Sequence, residues 1–155
     1  MRELVLAGKG LTDLVSSILA GRPDHRVRMN CRGHSMAPFI RDNDTVILKP
    51  VDQHHGIRFG DIVAVTVGNK QKFIIHRVIR LKNGFFQTKG DNNKTADTWC
   101  PSSDIIAIVD GIGGHSRLPY QYARWQKVII AFASKTGILN RVLLPIYSYF
   151  RGLSR

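Results

Sequence analysis

In the N-terminal part of the chain, apolar residues recur with the period of an α-helix. Its apolar side chains recur every three or four positions, at Leu4, Leu11, Leu14, Val15, Ile18 and Leu19. This spacing is typical of an amphipathic helix that buries one face. Gly21 and Pro23 follow, and both residue types end helices. A lysine and an aspartate interrupt the apolar run, so we expect a short helix within residues 1–22 rather than a signal peptide or a membrane span.

The pattern changes between residues 26 and 112, where short apolar runs are separated by Gly, Asn, Asp and Pro. Runs with the alternation or the composition of β-strands occupy residues 27–31, 45–48, 61–67, 73–81, 85–88 and 105–109. Asn83-Gly84 lies between two of these runs, and this dipeptide favours the tight turn of a β-hairpin. The pattern predicts a mainly β domain, a small antiparallel barrel or sandwich, rather than a parallel sheet of βαβ units.

Residues 117–155 form a third segment, in which apolar stretches are mixed with basic residues. The stretches at 128–133 and 138–149 are divided by Lys135, Gly137, Arg141 and Pro145. Seven arginines and lysines follow Asp110, whereas no acidic residue does. A helical tail of this composition suits the interface of an anionic membrane. It equally suits a helical hairpin packed on the β domain.

Charge is the one unusual feature of the composition. A chain of 155 residues corresponds to about one domain, but its formal net charge is +12. Such a surface attracts polyanions, which include nucleic acids and anionic membranes. The short N-terminal helix is too small for a helix-turn-helix unit, so we do not expect a nucleic-acid partner. An anionic membrane surface, bound through the tail, is the partner that the charge favours beside a peptide or protein substrate.

Cysteine and histidine positions indicate neither a metal site nor a disulfide framework. Cys31 and Cys100 are the two cysteines, and their spacing is not that of metal ligands. We expect both to be packed thiols. His25, His54 and His55 also lack ligand spacing and are expected in surface loops. The sequence therefore predicts no metal and no other cofactor.

Ser35 is the first of three residues that together predict chemistry. It lies in the turn-forming segment Gly33 to Pro38, which reads Gly-His-Ser-Met-Ala-Pro. A serine hydroxyl needs a neighbouring base to take its proton, and the base needs a third group to orient it. His76 and then Asp91 follow in the chain, so a nucleophile, a base and an acid occur in order. Taken singly, each has a structural explanation, because glycine, serine and aspartate form turns and a histidine in an apolar strand is usually a core residue.

Four segments in this order resemble the sequence boxes of type I signal peptidases. They are Gly33 to Pro38, Gly60 to Val63, His76 to Val78 and Lys89 to Asn93. The resemblance covers roughly residues 27 to 110. Bacterial members usually carry lysine at the position of His76, whereas the endoplasmic reticulum, archaeal and sporulation-type branch carries histidine. The same clan contains the self-cleaving repressors of the DNA-damage response.

The resemblance implies a mostly β catalytic domain, here residues 26–112, whose serine cleaves a peptide bond, often after a small residue. It assigns Ser35 as the nucleophile, His76 as the general base and Asp97 as the orienting acid, with Asp91 as the alternative acid. Backbone N–H groups of the turn around Ser35, between Gly33 and Met36, would hold the oxyanion.

The chain departs from typical signal peptidases ahead of the serine box. Those proteins carry a transmembrane helix there, whereas the segment before Ser35 is not expected to span. We therefore expect a cytoplasmic or peripherally membrane-associated peptidase that cleaves a peptide or protein in trans. Two alternatives stay open. One is self-cleavage, for which Ala7-Gly8 and Ala20-Gly21 are suitable bonds, and the other is a non-catalytic module that binds polyanions or membranes.

Overall fold

The computed structural model describes residues 9–20, 24–52, 56–68, 72–114, 117–120, 122–143 and 145. The helices in this part are α1 (Lys9–Leu19) and α2 (Arg124–Thr136). The strands are β1 (Val27–Asn30), β2 (Thr45–Lys49), β3 (Ile62–Val67), β4 (Lys72–Lys82), β5 (Phe85–Lys89), β6 (Cys100–Pro101), β7 (Ile105–Gly114) and β8 (Arg117–Tyr120). A 3-10 turn (Ser102–Asp104) and a π-helical turn (Leu139–Leu143) complete the elements.

The strands form one antiparallel sheet that curls into a half-barrel. Its order is β1-β2-β7-β3-β4-β5-β6, and β8 pairs with β7 beside this path. The long strand β7 joins the two halves, because its C-terminal part pairs with β2 and its N-terminal part with β3. A register shift interrupts each of these pairings, and such bulges bend strands. The prediction of a mainly β domain with an N-terminal and a C-terminal helix is confirmed.

Strand β3 has a core on each of its faces. Ile62 and Ala64 belong to one buried cluster, together with Val15 and Leu19 of α1. Val63, Val65 and other residues form a second cluster. Since successive side chains of a strand point to opposite faces, burial on both faces explains why β3 is a continuous apolar run.

Helix α1 lies within the segment that the apolar spacing predicts. Val15 and Leu19 are buried, and Leu11 is partly buried against the same cluster. Leu14 and Ile18 are exposed, so the helix buries a narrower face than its apolar pattern suggests. Residues 1–8, which include Leu4, lie outside the described residues.

The expected helical tail begins later than residue 117, because Arg117–Tyr120 forms strand β8. The pairing of β7 with β3 covers only its N-terminal part, so the segment from Ile112 to Gly114 has an edge that β8 fills. Helix α2 then begins at Arg124 and ends at Thr136, and Gly137 follows it with a φ of 77°, in the left-handed region. Among the described helices, none is both long and apolar enough to cross a membrane.

Helix α2 is attached to the β domain at three places. A Cβ on Gly60 would lie 2.6 Å from the carbonyl oxygen of Lys127, so the helix backbone approaches this glycine closely. The Lys127 ammonium donates to Asp61, with Nζ 3.4 Å from Oδ1. The Lys89 ammonium donates to the carbonyl oxygen of Ser134 at 2.8 Å. Burial lowers the pKa of Lys89, although the carboxylate of a nearby aspartate opposes this effect.

Replacing Gly60 by alanine is expected to lower the free energy of unfolding by about 1–3 kcal/mol. The φ of Gly60 is +90°, which strains any side chain, and the new Cβ would also meet the Lys127 backbone. Urea unfolding measures the loss. Gly68→Ala is the matched control, because its φ is +62° and no atom lies within 4 Å of its Cβ position. Equal losses in the two variants would show that the contact with α2 is unimportant.

Candidate active site

Ser35 is held in a turn directly after β1. The Ala37 N–H donates to the His34 carbonyl at 3.1 Å, and the Ile40 N–H donates to the Met36 carbonyl at 3.0 Å. The side chains of Met36 and Ile40 are buried in the first cluster. These apolar anchors fix the turn on the sheet, while the half-buried Ser35 side chain stays at the surface of the domain.

His76 lies in β4, between the side chains of Ser35 and Asp97. Its Nε2 is 3.2 Å from Ser35 Oγ, and its Nδ1 is 2.6 Å from Asp97 Oδ2. A carboxylate only accepts hydrogen bonds, so Nδ1 carries the proton and Nε2 is left to accept from the Ser35 hydroxyl. The His76 side chain is 7% exposed, which limits its orientations. The structure thus brings a hydroxyl, an imidazole and a carboxylate into one line of hydrogen bonds.

Asp97 lies in the loop between β5 and β6, and β5 fixes it in place. The Thr88 hydroxyl donates to Asp97 Oδ2 at 2.7 Å, and the Asp97 N–H donates to the Thr88 carbonyl at 2.8 Å. The Gln87 side-chain amide donates to the Asp97 carbonyl at 3.0 Å. The carboxylate oxygen that faces His76 therefore has two donors, the Thr88 hydroxyl and His76 Nδ1, which fix its orientation.

Asp91 is not near the ring of His76 but pairs with Arg77. The guanidinium donates in a bidentate manner, from Nε to Asp91 Oδ1 at 2.9 Å and from Nη2 to Oδ2 at 2.7 Å. Its Nη1 donates to the Gly60 carbonyl at 3.1 Å. Both side chains are completely buried. Because adjacent residues of a strand point to opposite faces, His76 and Arg77 each have their own carboxylate.

The loop that contains Asp91 also holds the backbone around Ser35. The Asn92 N–H donates to the Ser35 carbonyl at 2.7 Å, and the Asn92 side chain donates to the His34 carbonyl at 3.1 Å. A Cβ on Gly90 would lie 2.7 Å from the Ser35 carbonyl oxygen, so this close approach requires glycine. The ion pair of Asp91 with Arg77 thus anchors this loop, and the loop in turn holds the backbone turn that contains Ser35.

Thr88 and Arg77 are site residues that the sequence reasoning did not single out. Arg77 had a signal, because a cation inside the apolar run from Phe73 to Ile79 requires a buried partner. Thr88 had a weaker one, its place in the strand directly before Lys89 to Asn93.

Gly33 and Met36 lie on either side of Ser35, and their backbone N–H groups differ in their hydrogen bonds. The Gly33 N–H donates to Asp42 Oδ1 at 2.8 Å, so it is already engaged. In the part of the chain that the structure describes, the amide N–H groups of Ser35 and Met36 have no hydrogen-bond acceptor. These two amides are therefore available as donors to a ligand at the turn.

A groove of about 690 Å³ opens beside Ser35 and His76. One wall is formed by the end of β1, including Met29, and the other by residues 72–75 of β4. Both walls are strand edges within the described ranges. β1 is the terminal strand of the sheet, and β5 pairs with β4 only from Arg77 onward.

Cys31 also lines this groove, but it is poorly suited to act as a nucleophile. Burial, with a smaller contribution from Asp44, raises the pKa of the Cys31 thiol to about 12. The thiolate is the reactive form, and it is scarce at neutral pH. Burial likewise raises the pKa of Cys100, and both cysteines are free. Ser35 is therefore the stronger candidate nucleophile at the groove.

Residues 9–20, 24–52, 56–68 and 72–145, as far as they are described, contain no group of three His, Cys, Asp or Glu side chains that could hold a metal ion. His25 Nδ1 lies 2.7 Å from the Ile18 carbonyl. His54 and His55 lie outside the described residues.

Comparison with protein families gives a match. The model of a family described as Peptidase S24-like matches residues 8–111, more than half of the chain. The matched range contains Ser35, His76 and Asp97. No curated protein matches the sequence significantly.

Proposed function

The chain belongs to the Peptidase S24-like family, and from this premise we propose that it is a serine endopeptidase. In this proposal Ser35 is the nucleophile, His76 is the general base and Asp97 orients the base. The observation that carries it is the line of hydrogen bonds from Ser35 Oγ to His76 Nε2 at 3.2 Å and from His76 Nδ1 to Asp97 Oδ2 at 2.6 Å.

The geometry supports a two-step hydrolysis. Nε2 of His76 takes the proton of the Ser35 hydroxyl while Oγ attacks the carbonyl carbon of the scissile peptide bond. The imidazolium then gives this proton to the leaving amine, and the C–N bond breaks to leave an ester on Ser35. Water attacks the ester by the same route. Throughout, the Asp97 carboxylate stabilises the charged ring and holds its tautomer.

The N–H groups of Ser35 and Met36 are the candidate oxyanion donors. Their lack of an acceptor among the described residues supports this role. Gly33 is excluded as a donor because its N–H is bound to Asp42. It contributes instead the backbone conformation of the turn, with a φ of +97°.

The substrate is proposed to bind in the groove as an extended strand. The edges of β1 and of residues 72–76 of β4 offer backbone donors and acceptors on both sides of such a peptide. Addition of a strand to a sheet edge supplies affinity through the main chain and leaves specificity to alternate side-chain pockets. The resemblance to signal peptidases of the histidine branch supports a small residue before the cut and cleavage in trans.

Asp97→Asn is expected to reduce kcat by about 10³–10⁴-fold with little change in folding, because the amide would favour the wrong tautomer of His76. The assay is hydrolysis of a peptide library containing small residues, with products identified by mass spectrometry. Asp104→Asn is the matched control and should retain full activity, because Asp104 lies in the 3-10 turn and takes no part in the line of hydrogen bonds through His76. An Asp97→Asn enzyme with unchanged kcat would refute the assignment.

A further inference from the structure

Helix α2 carries an apolar stripe that the β domain does not cover. Trp125 is 64% exposed, and Ile129 and Phe132 are each 59% exposed. These residues are spaced by four and three positions, so they lie on one side of the helix. The opposite side is packed on the domain through Ala131 and Ser134, which are completely buried. The stripe therefore faces away from the domain.

The apolar surface continues past the end of α2 into the π-helical turn. Ile138 is 48% exposed and Val142 is 47% exposed. Arg141 is exposed in the same π-helical turn as Val142, and Lys135 is exposed in the last turn of α2. Trp125, Ile129 and Phe132 together with Ile138 and Val142 are called the apolar stripe below.

The charged residues of the segment that carries the apolar stripe are of one sign. After Asp110 the sequence has seven lysines and arginines and no aspartate or glutamate. Among the described residues, the carboxylate that forms ion pairs with α2 is that of Asp61, which pairs with Arg124 and Lys127. An exposed apolar band bordered by cations complements a surface that is apolar inside and negatively charged at its boundary.

We propose that α2 and the π-helical turn bind the surface of an anionic lipid bilayer, with the apolar stripe inserted at the level of the headgroups and upper acyl chains. Aromatic and aliphatic side chains on one face and basic residues beside them are typical of helices that lie in this interface. Lysines and arginines near an anionic leaflet add electrostatic attraction to this insertion. The 13 residues of α2 lie along such a surface without crossing it.

A second copy of the chain suits this surface less well. In a two-fold dimer the same patch meets itself, so each basic border of α2 would lie against an equivalent basic border. Juxtaposed like charges oppose association. The overall charge of +12 adds repulsion between copies and attraction to anionic lipid.

The contacts of α2 with Gly60, Asp61 and Lys89 give lipid binding a consequence for the domain. The helix is attached rigidly, because a backbone contact, an ion pair and a buried hydrogen bond fix it. Binding through the apolar stripe would hold the entire β domain, with its groove, at the membrane surface. This inference does not depend on the chemistry proposed for Ser35.

Tryptophan fluorescence tests the orientation directly, because the chain has two tryptophans. Trp99→Phe leaves Trp125 as the reporter, and Trp125→Phe leaves the 42% exposed Trp99 as the control reporter. Vesicles contain phosphatidylcholine with or without an equal amount of phosphatidylglycerol. We expect a blue shift of Trp125 emission with the anionic vesicles alone, weakened at about 0.5 M salt, and no shift of Trp99. A shift of Trp99 without one of Trp125, or no shift of either, would overturn the proposal.

Co-sedimentation with the same vesicles tests the apolar stripe. Ile129→Ser combined with Phe132→Ser is expected to weaken binding at least tenfold, because two side chains no longer enter the bilayer. The matched control replaces Leu81 and Phe85, which are 41% and 50% exposed in the β4–β5 hairpin, by serine and should bind as wild type does. Circular dichroism establishes that both variants are folded.

Two outcomes of this experiment would overturn the proposal. One is wild-type vesicle binding by the Ile129→Ser/Phe132→Ser variant, which would place the lipid contact elsewhere. The other is a dimer seen by sedimentation velocity that the same substitutions dissociate, without vesicle binding by wild type. That result would identify a second copy as the occupant of the apolar stripe.

Discussion

Replacing Ser35 by alanine is expected to lower kcat for peptide hydrolysis by about 10⁶-fold, to a residual rate that stays above that of the uncatalysed reaction. Without Oγ no acyl-enzyme can form, and the groove and the backbone amides of the turn supply only the residual catalysis. His76→Ala is expected to cause a loss of similar size, because the hydroxyl then has no base to accept its proton. The measurement is the single-turnover rate with a peptide cleaved by the wild-type protein.

The double variant gives the sharper result. Groups that act as one unit are not additive, so Ser35→Ala/His76→Ala should be no slower than either single variant. Ser103→Ala, an exposed serine in the 3-10 turn, is the control and should keep the wild-type rate. A double variant whose loss equals the product of the two single losses would mean that the two residues act independently, contrary to the proposed roles.

Arg77→Met is expected to destabilise the fold by about 3–5 kcal/mol, because it leaves the Asp91 carboxylate buried without its partner. Asp91 and Arg77 are both completely buried, so water cannot replace the lost donors. Urea unfolding measures the change. Arg58→Met is the control, since this arginine is exposed and its substitution should cost less than about 0.5 kcal/mol.

Removal of both charges separates the cost of an unpaired carboxylate from the value of the pair. Arg77→Met/Asp91→Leu should recover a large part of the stability that Arg77→Met loses, because no buried charge remains. Its catalytic rate should stay low, since the loop of Gly90 and Asn92 that holds Ser35 has lost its anchor. A double variant as unstable as the single variant would show that the ion pair stabilises the fold through more than charge compensation.

The local sequence was sufficient to predict much of the sheet. Asn83 and Gly84 have φ angles of 49° and 78°, as a tight hairpin turn between β4 and β5 requires, and this dipeptide predicts that turn directly. Strand β8 was not predicted, because it depends on the assembled sheet and not on its local sequence. Residues 117–120 have no strong strand pattern, and they pair because β7 leaves an edge open, which is a property of the assembled sheet.

The candidate site was predictable in its residue types more than in its pairings. The order of Ser35, His76 and two later aspartates is readable from the chain, but the choice between Asp97 and Asp91 is not. The structure places one carboxylate beside His76 and the other beside Arg77. His76 and Arg77 are neighbours in the sequence, and their side chains face opposite sides of β4. The hydrogen bond of Thr88 to Asp97 and the approach of Gly90 to Ser35 are long-range contacts that periodicity does not indicate.

The tail illustrates a limit of hydrophobic patterns. An interfacial helix and a packed helical hairpin have similar apolar content, so the sequence left both open. Helix α2 packs Ala131 and Ser134 on the domain and leaves Ile129 and Phe132 exposed. Helix α2 therefore has one face packed on the domain and one exposed apolar face. The apolar pattern of the sequence does not distinguish these two faces.

Mass spectrometry of a peptide library incubated with the wild-type protein or with Ser35→Ala tests the central claim most directly. The same spectra report the intact mass of each protein, which distinguishes cleavage in trans from self-cleavage. We expect products cut after small residues in the wild-type sample alone, with both proteins at full length. The same products in both samples, or no product and no shortened chain in either, would contradict the assignment of Ser35 as the nucleophile of a peptidase.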